Sequence, residues 1–598
     1  MIYLGINVSH GASASLMIDG EIVLAYQEER FNKIKNFVGY PKKSIESCLN
    51  FVREKKIYID EAAFSTIKNP VFVFKYPLDN YFSIEDWLDY YLDDFYSKSK
   101  KINKVITKIR TIKKKKTIEQ YLDYSQIKKK DYFDNFKIFR NLQKKFLEKQ
   151  SQGLIKKISF LGHHACHAYY AAYAPTIKSK KNIKVGILTL DSEGDGINQT
   201  FWIFDRLKND LKKINESSEC DLARIYRFIT LILKMKPNEH EYKVMGLAPY
   251  SKNEYANEVY DKVFKNILMV KNCRVINKKR PKNLFAHLYK ITGQYRFDNI
   301  AGAAQMLIEN ILVELIKQIS KKYKIKNFSI SGGVSMNIKT NMCLSKLKYV
   351  NKIYIPPTGT DDSLSIGACY YLNKRNNSKF LSNIYLGQKL FDGDIKKNKI
   401  LKFFKNKKKF KIFEKVNHKQ IAKLLARGSI IAVARGREEF GARALGNRSI
   451  IADPSKPYLV KRINEYIKKR DFWMPFALTI LYEKHKKFLY NPKNLRSEFM
   501  TIAFDTHKKN LELIRAATHP YDETVRPQIL EKSYNEKYYS IIENFYKISG
   551  IPALLNTSFN LHGSPICSNI NDIVTTFKNS GLIYLYIDDK YLIKKIRF

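Results

Sequence analysis

Two histidines four residues apart, His163 and His167, stand in the run Gly162-His163-His164-Ala165-Cys166-His167-Ala168. On a helix that spacing puts both imidazoles on one face. Two such ring nitrogens can take neighbouring positions around a divalent metal, and a carboxylate can complete the set. The same spacing suits structural histidines satisfied by backbone carbonyls, and Cys166 reads as a buried, inert thiol. Asp191, Glu193 and Asp195 cluster beside Gly194 and Gly196. They would suit a cation or a cationic substrate, and equally a solvated acidic turn. Gly332-Gly333 lets backbone approach a phosphate or sugar closely, although plain turn glycines look the same. The polar loop 9–13 carries His10, which can hold phosphate or act as a base near neutral pH. In the second half, residues 439–449 set Arg443 and Arg448 among small residues, where guanidinium groups can grip a phosphate by charge-assisted hydrogen bonds. Lys468, Arg470 and Arg526, with Asn556-Thr557-Ser558-Phe559-Asn560, add cations and amide or hydroxyl donors.

These residues lie at the ends of strand-like runs. Apolar segments 2–8 and 15–18, the turn pair Asp19-Gly20 and segment 21–25 read as strands of a hairpin. Residues 158–161 lead into the histidine run, 185–190 end at Asp191, 328–330 lead to Ser331-Gly332-Gly333, and 353–355 lead to the loop before Asp361. Strand ends that carry polar or glycine-rich loops are where α/β folds place ligands. Residues 80–150 mix Tyr, Phe, Asp and Lys with helical spacing and read as a helical insertion or lid. A polar, irregular stretch at 373–388 marks a boundary, and a second α/β pattern follows, with a helix at 419–426 and strands at 429–434 and 582–587. The organisation is two domains, 1–385 and 386–598.

Length and composition agree. At 598 residues the chain exceeds one ordinary hydrophobic core. A hydrophobic share of 44% with 13% aromatics excludes a disordered polyelectrolyte. Seven Cys without a C-x-x-C pair argue against a disulfide framework and a zinc ribbon. No apolar leader opens the chain, and no window reads as the roughly 18 apolar residues a membrane span needs. A soluble, cytoplasmic protein is expected. The 107 Lys and Arg against 57 Asp and Glu give a formal charge of +50, which at face value points to nucleic acid or anionic membrane. The excess is largely Lys, densest at 113–116, 128–130 and 405–409, and travels with Ile, Asn, Tyr and Phe. All have AT-rich codons, so coding bias accounts for much of it.

Six ordered segments resemble the O-carbamoyltransferase family that includes nodulation-factor and antibiotic carbamoyltransferases. They are Glu28-Glu29-Arg30-Phe31, 162–168, Tyr242-Lys243-Val244-Met245-Gly246-Leu247-Ala248, 331–337, 439–454 and 555–560. The resemblance implies an N-terminal actin/hexokinase-type ATPase (ribonuclease H-like) domain and a C-terminal YrdC-like α/β domain. It further implies that the C-terminal domain makes carbamoyl-adenylate from carbamoyl phosphate and ATP. The N-terminal domain would then move the carbamoyl group to a hydroxyl of a small molecule or glycan, an acceptor favoured over nucleic acid. Carried over, His163, His167 and Asp361 match a metal set; the family suggests iron, while manganese and zinc also suit these donors. His10 and Lys35 match positions lining the transfer site, with His10 the candidate base and Asp191 a second residue near the acceptor. Arg443, Lys468, Arg526, Asn556 and Ser558 match positions that hold carbamoyl phosphate and ATP, and Gly332 and Gly333 are read as nucleotide-facing. Gly11 stands where an Asp commonly follows the His, Ala442 replaces a frequent Pro, and Met474 stands where many members carry an Arg. Arg470 or Arg448 would have to replace that Arg. The runner-up readings are a tRNA threonylcarbamoyl-transfer enzyme and a non-catalytic polyanion-binding protein.

Overall fold

The computed structural model describes residues 1–92, 107–109, 122–124, 127–132, 135–174, 183–391, 393, 400, 402–404, 409–468 and 470–596. The lysine run 113–116 and nearly all of 405–409 lie outside these. The chain divides into two compact units, one of Met1–Glu29 and Ile34–Ser382, the other of Arg30–Lys33 and Asn383–Phe598. The assignment of Arg30–Lys33 to the second unit was not foreshadowed by composition.

The first unit holds two five-stranded sheets. In the first, β1 (Ile2–Asn7), β2 (Ser13–Ile18) and β3 (Glu21–Gln27) run antiparallel, and β4 (Glu61–Phe64) and β5 (Ile158–Phe160) add parallel to β1, giving the order β3-β2-β1-β4-β5. Asp19 and Gly20 turn the β2–β3 hairpin with φ of 47° and 79°, the left-handed backbone that a two-residue turn between twisted strands demands. The second sheet repeats the pattern. Strands β6 (Lys184–Gly194), β7 (Ile197–Asp205) and β8 (Asp210–Ser217) are antiparallel. A two-stranded ribbon, β9 (Leu268–Lys271) and β10 (Arg274–Asn277), follows in the chain. Strands β11 (Asn327–Ser331) and β12 (Lys352–Tyr354) then add parallel to β6, in the order β12-β11-β6-β7-β8. The same three-antiparallel, two-parallel order thus occurs twice. The first three strands of each sheet follow one another in the chain, while the parallel strands need long crossovers.

Part of the expected insertion is helical. Helices Leu78–Tyr81, Ile84–Leu92 and Phe136–Ser151 are formed. Tyr91 packs on Phe228 and Phe285, each at 5.1 Å between ring centroids. The helix Phe297–Tyr323 corrects the expectation about apolar windows, since by length and composition it could cross a membrane. Two-thirds of its apolar window (67%) is buried inside the unit, as befits a core helix. All seven cysteines are free.

The second unit is built on one eight-stranded sheet. Its strands are β13 (Phe410–Phe413), β14 (Ile431–Ala434), β15 (Arg448–Ala452), β16 (Ala477–Leu481), β17 (Pro527–Leu530), β18 (Ala553–Ser558), β19 (Tyr584–Ile587) and β20 (Tyr591–Lys595). They lie in the order β13-β20-β19-β14-β15-β18-β16-β17. Strands β14, β15, β16 and β17 are buried along their whole length, as strands of a sheet covered on both faces are. At the end of β14 the buried Arg435 pairs with Asp589 at 2.8 Å, and His418 and Lys537 also face that carboxylate. Burial pushes the Asp589 pKa up, but these three cations outweigh it and hold the group down to about 2. The folded pKa is thus below the unfolded one, so this stability is present above about pH 4 and lost as pH falls toward 2. The loss is about 2 kcal/mol. Denaturant unfolding followed between pH 5 and 2 should show that slope, and Asp589→Asn should abolish it.

Candidate functional site

Helix His163–Tyr173 begins where β5 ends, and His163 and His167 both project from its first turns. Asp191 extends from β6, and Asp361 begins the short turn before helix Leu364–Leu372. The four side chains converge so that one ligand atom of each lies within 4.8 Å of the others. His163 Nε2 stands 3.6 Å from Asp361 Oδ1, and His167 Nε2 stands 3.5 Å from both Asp191 Oδ2 and Asp361 Oδ1. Donors about 2.1 Å from a shared ion would be spaced by roughly 3–3.5 Å, which these separations approach. Both Nε2 atoms are buried and make no hydrogen bond among the described residues. Buried polar atoms are rarely left so, and a divalent cation would satisfy them.

The surroundings fix the ligands. Ser331 Oγ sits 3.2 Å from His167 Nδ1, leaving Nε2 for the ion. Gly333 N–H donates to Asp191 Oδ2 at 2.9 Å and Ser192 N–H to Oδ1 at 2.6 Å. Ser9 Oγ donates to Asp361 Oδ2 at 2.7 Å, and Asp195 accepts the His163 N–H at 2.7 Å. Without a cation, burial works against a charged His167, but Asp191 and Asp361 outweigh it and hold its pKa up to about 9. The same imidazoles hold the Asp191 carboxyl well below the usual range despite its burial. His167 and Asp191, which hold one another charged, are poised to exchange a proton for a metal.

His164, between the two, serves the fold. Its Nδ1 meets Thr189 Oγ1 at 2.6 Å and its Nε2 the Ile197 carbonyl at 3.0 Å. Burial, then the neighbouring imidazoles, push its pKa down to about 3. Asp191, read from sequence as a residue near the acceptor, stands in the group of metal-type ligands. Gly332 and Gly333 stand beside Asp191. A Cβ on Gly332 would lie 2.2 Å from the Leu190 carbonyl oxygen, at a φ of +89°. Gly332→Ala is therefore expected to cost about 2–4 kcal/mol in thermal unfolding.

His10 lies near this group. Its Nε2 is buried and makes no hydrogen bond among the described residues. Burial lowers its pKa, but Asp79, Asp361, Glu241 and Asp362 together raise it above the usual value. Gly11 has φ of +67° and would bring a Cβ 3.0 Å from that of Asp362, so the Asp common in this place would be strained. Lys35 does not join the group; its ammonium faces Glu239 at 3.5 Å, which also holds Lys236. Sequence reasoning missed Asp79 and Glu241. Asn238 links them, donating from its amide to Asp79 at 2.8 Å and from its backbone to Glu241 at 2.6 Å. Burial pushes the Glu241 pKa up to about 7. Glu241 directly precedes the Tyr242–Ala248 motif, a neighbour that could have flagged it.

In the second unit the cationic candidates lie near neighbouring strand ends. Register pairs Ser449 with Ser558, Asn556 with Ala477 and Leu478 with Pro527. The starts of β15 and β16 therefore lie beside the end of β18, and the start of β17 lies beside that of β16. Arg443 precedes β15, Met474 precedes β16, Arg526 precedes β17, and Asn556 and Ser558 end β18. Lys468 joins them, its ammonium donating to the Ser558 carbonyl and, at 3.2 Å, to Ser558 Oγ and the Asn560 carbonyl. Arg443 and Arg526 are half-buried there. Arg448 is not available as a substitute grip. It is fully buried, and its guanidinium donates to the carbonyls of Ser568, Arg435, Asn447 and Gly436. Arg470 stacks on Phe476 at 5.0 Å.

Comparison with known proteins adds the following. The model described as Carbamoyltransferase N-terminus matches residues 2–370, and that described as Carbamoyltransferase C-terminus matches 422–595. An uncharacterized protein of Methanocaldococcus jannaschii is 31% identical over 99% of this chain and 100% of its own length. Nodulation protein NolNO of Sinorhizobium fredii is 26% identical over 98% of this chain and 79% of its own. Among solved structures, component A of (R)-2-hydroxyglutaryl-CoA dehydratase from Acidaminococcus fermentans matches 63% of this chain and 100% of its own, at 13% identity and a TM-score of 0.31. A score that low does not bear on the fold.

Proposed function

The chain belongs to the carbamoyltransferase family and is a transferase, and from that premise we propose that it is an ATP-dependent O-carbamoyltransferase working in two half-reactions. The second unit, read as YrdC-like, hydrolyses carbamoyl phosphate to carbamate and phosphate, and the carbamate oxygen then attacks the α-phosphorus of ATP to give carbamoyl-adenylate as pyrophosphate departs. The first unit, whose repeated sheet order we read as an actin/hexokinase-type ATPase fold, transfers the carbamoyl group to a hydroxyl of a small molecule or glycan. The observation that carries this reading is the pairing of two constellations. A group of metal-type ligands sits in one unit, and cationic residues lie near neighbouring strand ends in the other.

In the adenylation half, Lys468, Arg443 and Arg526 would face phosphate oxygens, and Ser558 would offer a hydroxyl donor. In the transfer half, His163, His167, Asp191 and Asp361 would hold a divalent metal, iron by family resemblance. A metal there supplies charge stabilisation and orients oxygen ligands. His10 would accept the acceptor's proton as its oxygen attacks the carbamoyl carbon and the adenylate phosphate departs with the bonding pair. The carboxylates around His10 make it a stronger base, free of its proton only at higher pH. A cytoplasmic site of action is part of the proposal.

The test is direct. Incubated with ATP, carbamoyl phosphate and a divalent metal, the protein should release pyrophosphate. Replacing carbamoyl phosphate with threonine and bicarbonate should abolish that release. Release with threonine and bicarbonate alone would instead identify a threonylcarbamoyl enzyme.

A further inference from the structure

Arg443 sits at the tip of a loop whose backbone is tied down on both sides. Gly441 offers its carbonyl to Arg30 Nη2 at 2.7 Å. Asn556 Nδ2 donates to the Ala444 carbonyl at 3.1 Å, and Tyr385 Oη donates to the Leu445 carbonyl at 2.8 Å. Gly446 N–H reaches Ser449 Oγ at 3.0 Å. Gly441 and Gly446 make the bends, with φ of +104° and +111°, and a Cβ on Gly446 would lie 2.3 Å from the Tyr538 ring. Only Ala442 and Arg443 retain exposure within the loop. Asn556, read from sequence as a ligand-facing donor, thus spends its amide hydrogens on this loop and on Thr479 Oγ1.

The strongest of these ties is a carboxylate. Glu439 is 2% exposed, and its Oε1 alone accepts the N–H groups of Leu445 and Asn447 at 2.8 Å and Arg448 at 3.2 Å. Carboxylates gather backbone donors elsewhere too, Glu28 those of Lys43 and Ser44 and Asp195 those of Ile67, Lys68 and His163. Among the described residues, only at Glu439 does one oxygen take three such donors. A buried charge is a costly way to close a turn. What it adds is stiffness, because charge-assisted hydrogen bonds are roughly twice as strong as neutral ones. A loop that binds a small, doubly charged anion through one guanidinium gains most from such fixation, since its donor must not reorganise when the ligand arrives. We propose that Glu439 is a positioning residue that presents Arg443 to the phosphate of carbamoyl phosphate, an inference that rests on the adenylation reading above.

The test is steady-state pyrophosphate release by the full chain, titrating carbamoyl phosphate and ATP separately. Glu439→Ala is expected to raise KM for carbamoyl phosphate by about 20-fold or more, as a misplaced binding group does. The KM for ATP should stay within about twofold. Glu439→Gln keeps an acceptor oxygen without the charge and should rescue most of the loss, leaving a rise of roughly three- to tenfold. If the alanine variant does not fold, the glutamine variant decides alone. A KM for carbamoyl phosphate within twofold of the unaltered protein would overturn the proposal. So would parallel rises in both KM values, which mark general loosening of the unit. No pyrophosphate from the unaltered protein would overturn the adenylation reading and this inference together. Normal release with unmoved KM values in the variants removes only the role of Glu439.

Discussion

Replacing His167 by Ala should strip the protein of the divalent metal proposed for this group, from about one ion per chain to below about a tenth, because one of four converging donors is lost. Elemental analysis of the purified variant measures this directly. Carbamoyl transfer should fall by roughly a thousandfold or more, while pyrophosphate release, which the proposal assigns to the other unit, should stay within about twofold. Loss of both activities together would contradict the separation of half-reactions. A pH dependence accompanies it. In the metal-free protein His167 is held protonated up to about 9 by Asp191 and Asp361, above its unfolded value. That contribution to stability is complete below about pH 6.5 and disappears as pH rises toward 9, at up to ~1.4 kcal/mol per pH unit. Metal affinity should move oppositely and strengthen over the same interval, since binding must expel that proton. Unfolding midpoints of chelator-treated protein and metal titrations at stepped pH would show the crossing trends.

The second large effect is expected at Lys468. Its ammonium is 4% exposed and holds the Ser558–Asn560 turn through carbonyl and hydroxyl oxygens. Under the proposed chemistry it does two things, fixing that strand end and lending positive charge to the phosphate site. Lys468→Ala should therefore lower kcat/KM for pyrophosphate release by about 10²–10³, the range for losing one preorganised charge-stabilising donor. Lys468→Arg should recover little, because a planar fork cannot reproduce a compact ammonium's radial contacts. Metal content should be unchanged in both. An alanine variant with full activity would remove Lys468 from the phosphate site. Met474 makes the residue matter more, because Arg448 is committed to four backbone carbonyls and leaves Arg470 as the remaining candidate to replace that charge.

Much of the fold was legible because its signals are local. The Asp19-Gly20 turn, the apolar runs that became β6, β11 and β14, and the helix after residue 162 follow from turn chemistry and periodicity. The four-residue spacing of His163 and His167 survives in the structure because a helix imposes it. Asp361 came from resemblance, and Asp191 was read as a residue near the acceptor. Pairing β6 parallel with β11, more than a hundred residues away, brings the end of β6 to the glycines whose N–H grips Asp191, and no local pattern encodes that distance. The Asp79–Asn238–Glu241 link failed for the same reason, since it joins the insertion to a loop 159 residues downstream. The charged loop at 439–448 misled in the other direction. Arg448 looked like a second phosphate grip, but a guanidinium with five donors also suits packed carbonyls, and only coordinates distinguish the two.

The assignment of Arg30–Lys33 to the second unit makes this chain hard to divide. It passes from one unit to the other three times, at Glu29–Arg30, Lys33–Ile34 and Ser382–Asn383. No single cut yields both parts whole. A fragment beginning at Asn383 would keep its eight strands but lack Arg30, leaving the carbonyls of Gly441 and Ile566 without the guanidinium that caps them. Gene fission at the obvious boundary would thus release a second half already missing the guanidinium that ties two of its own loops together.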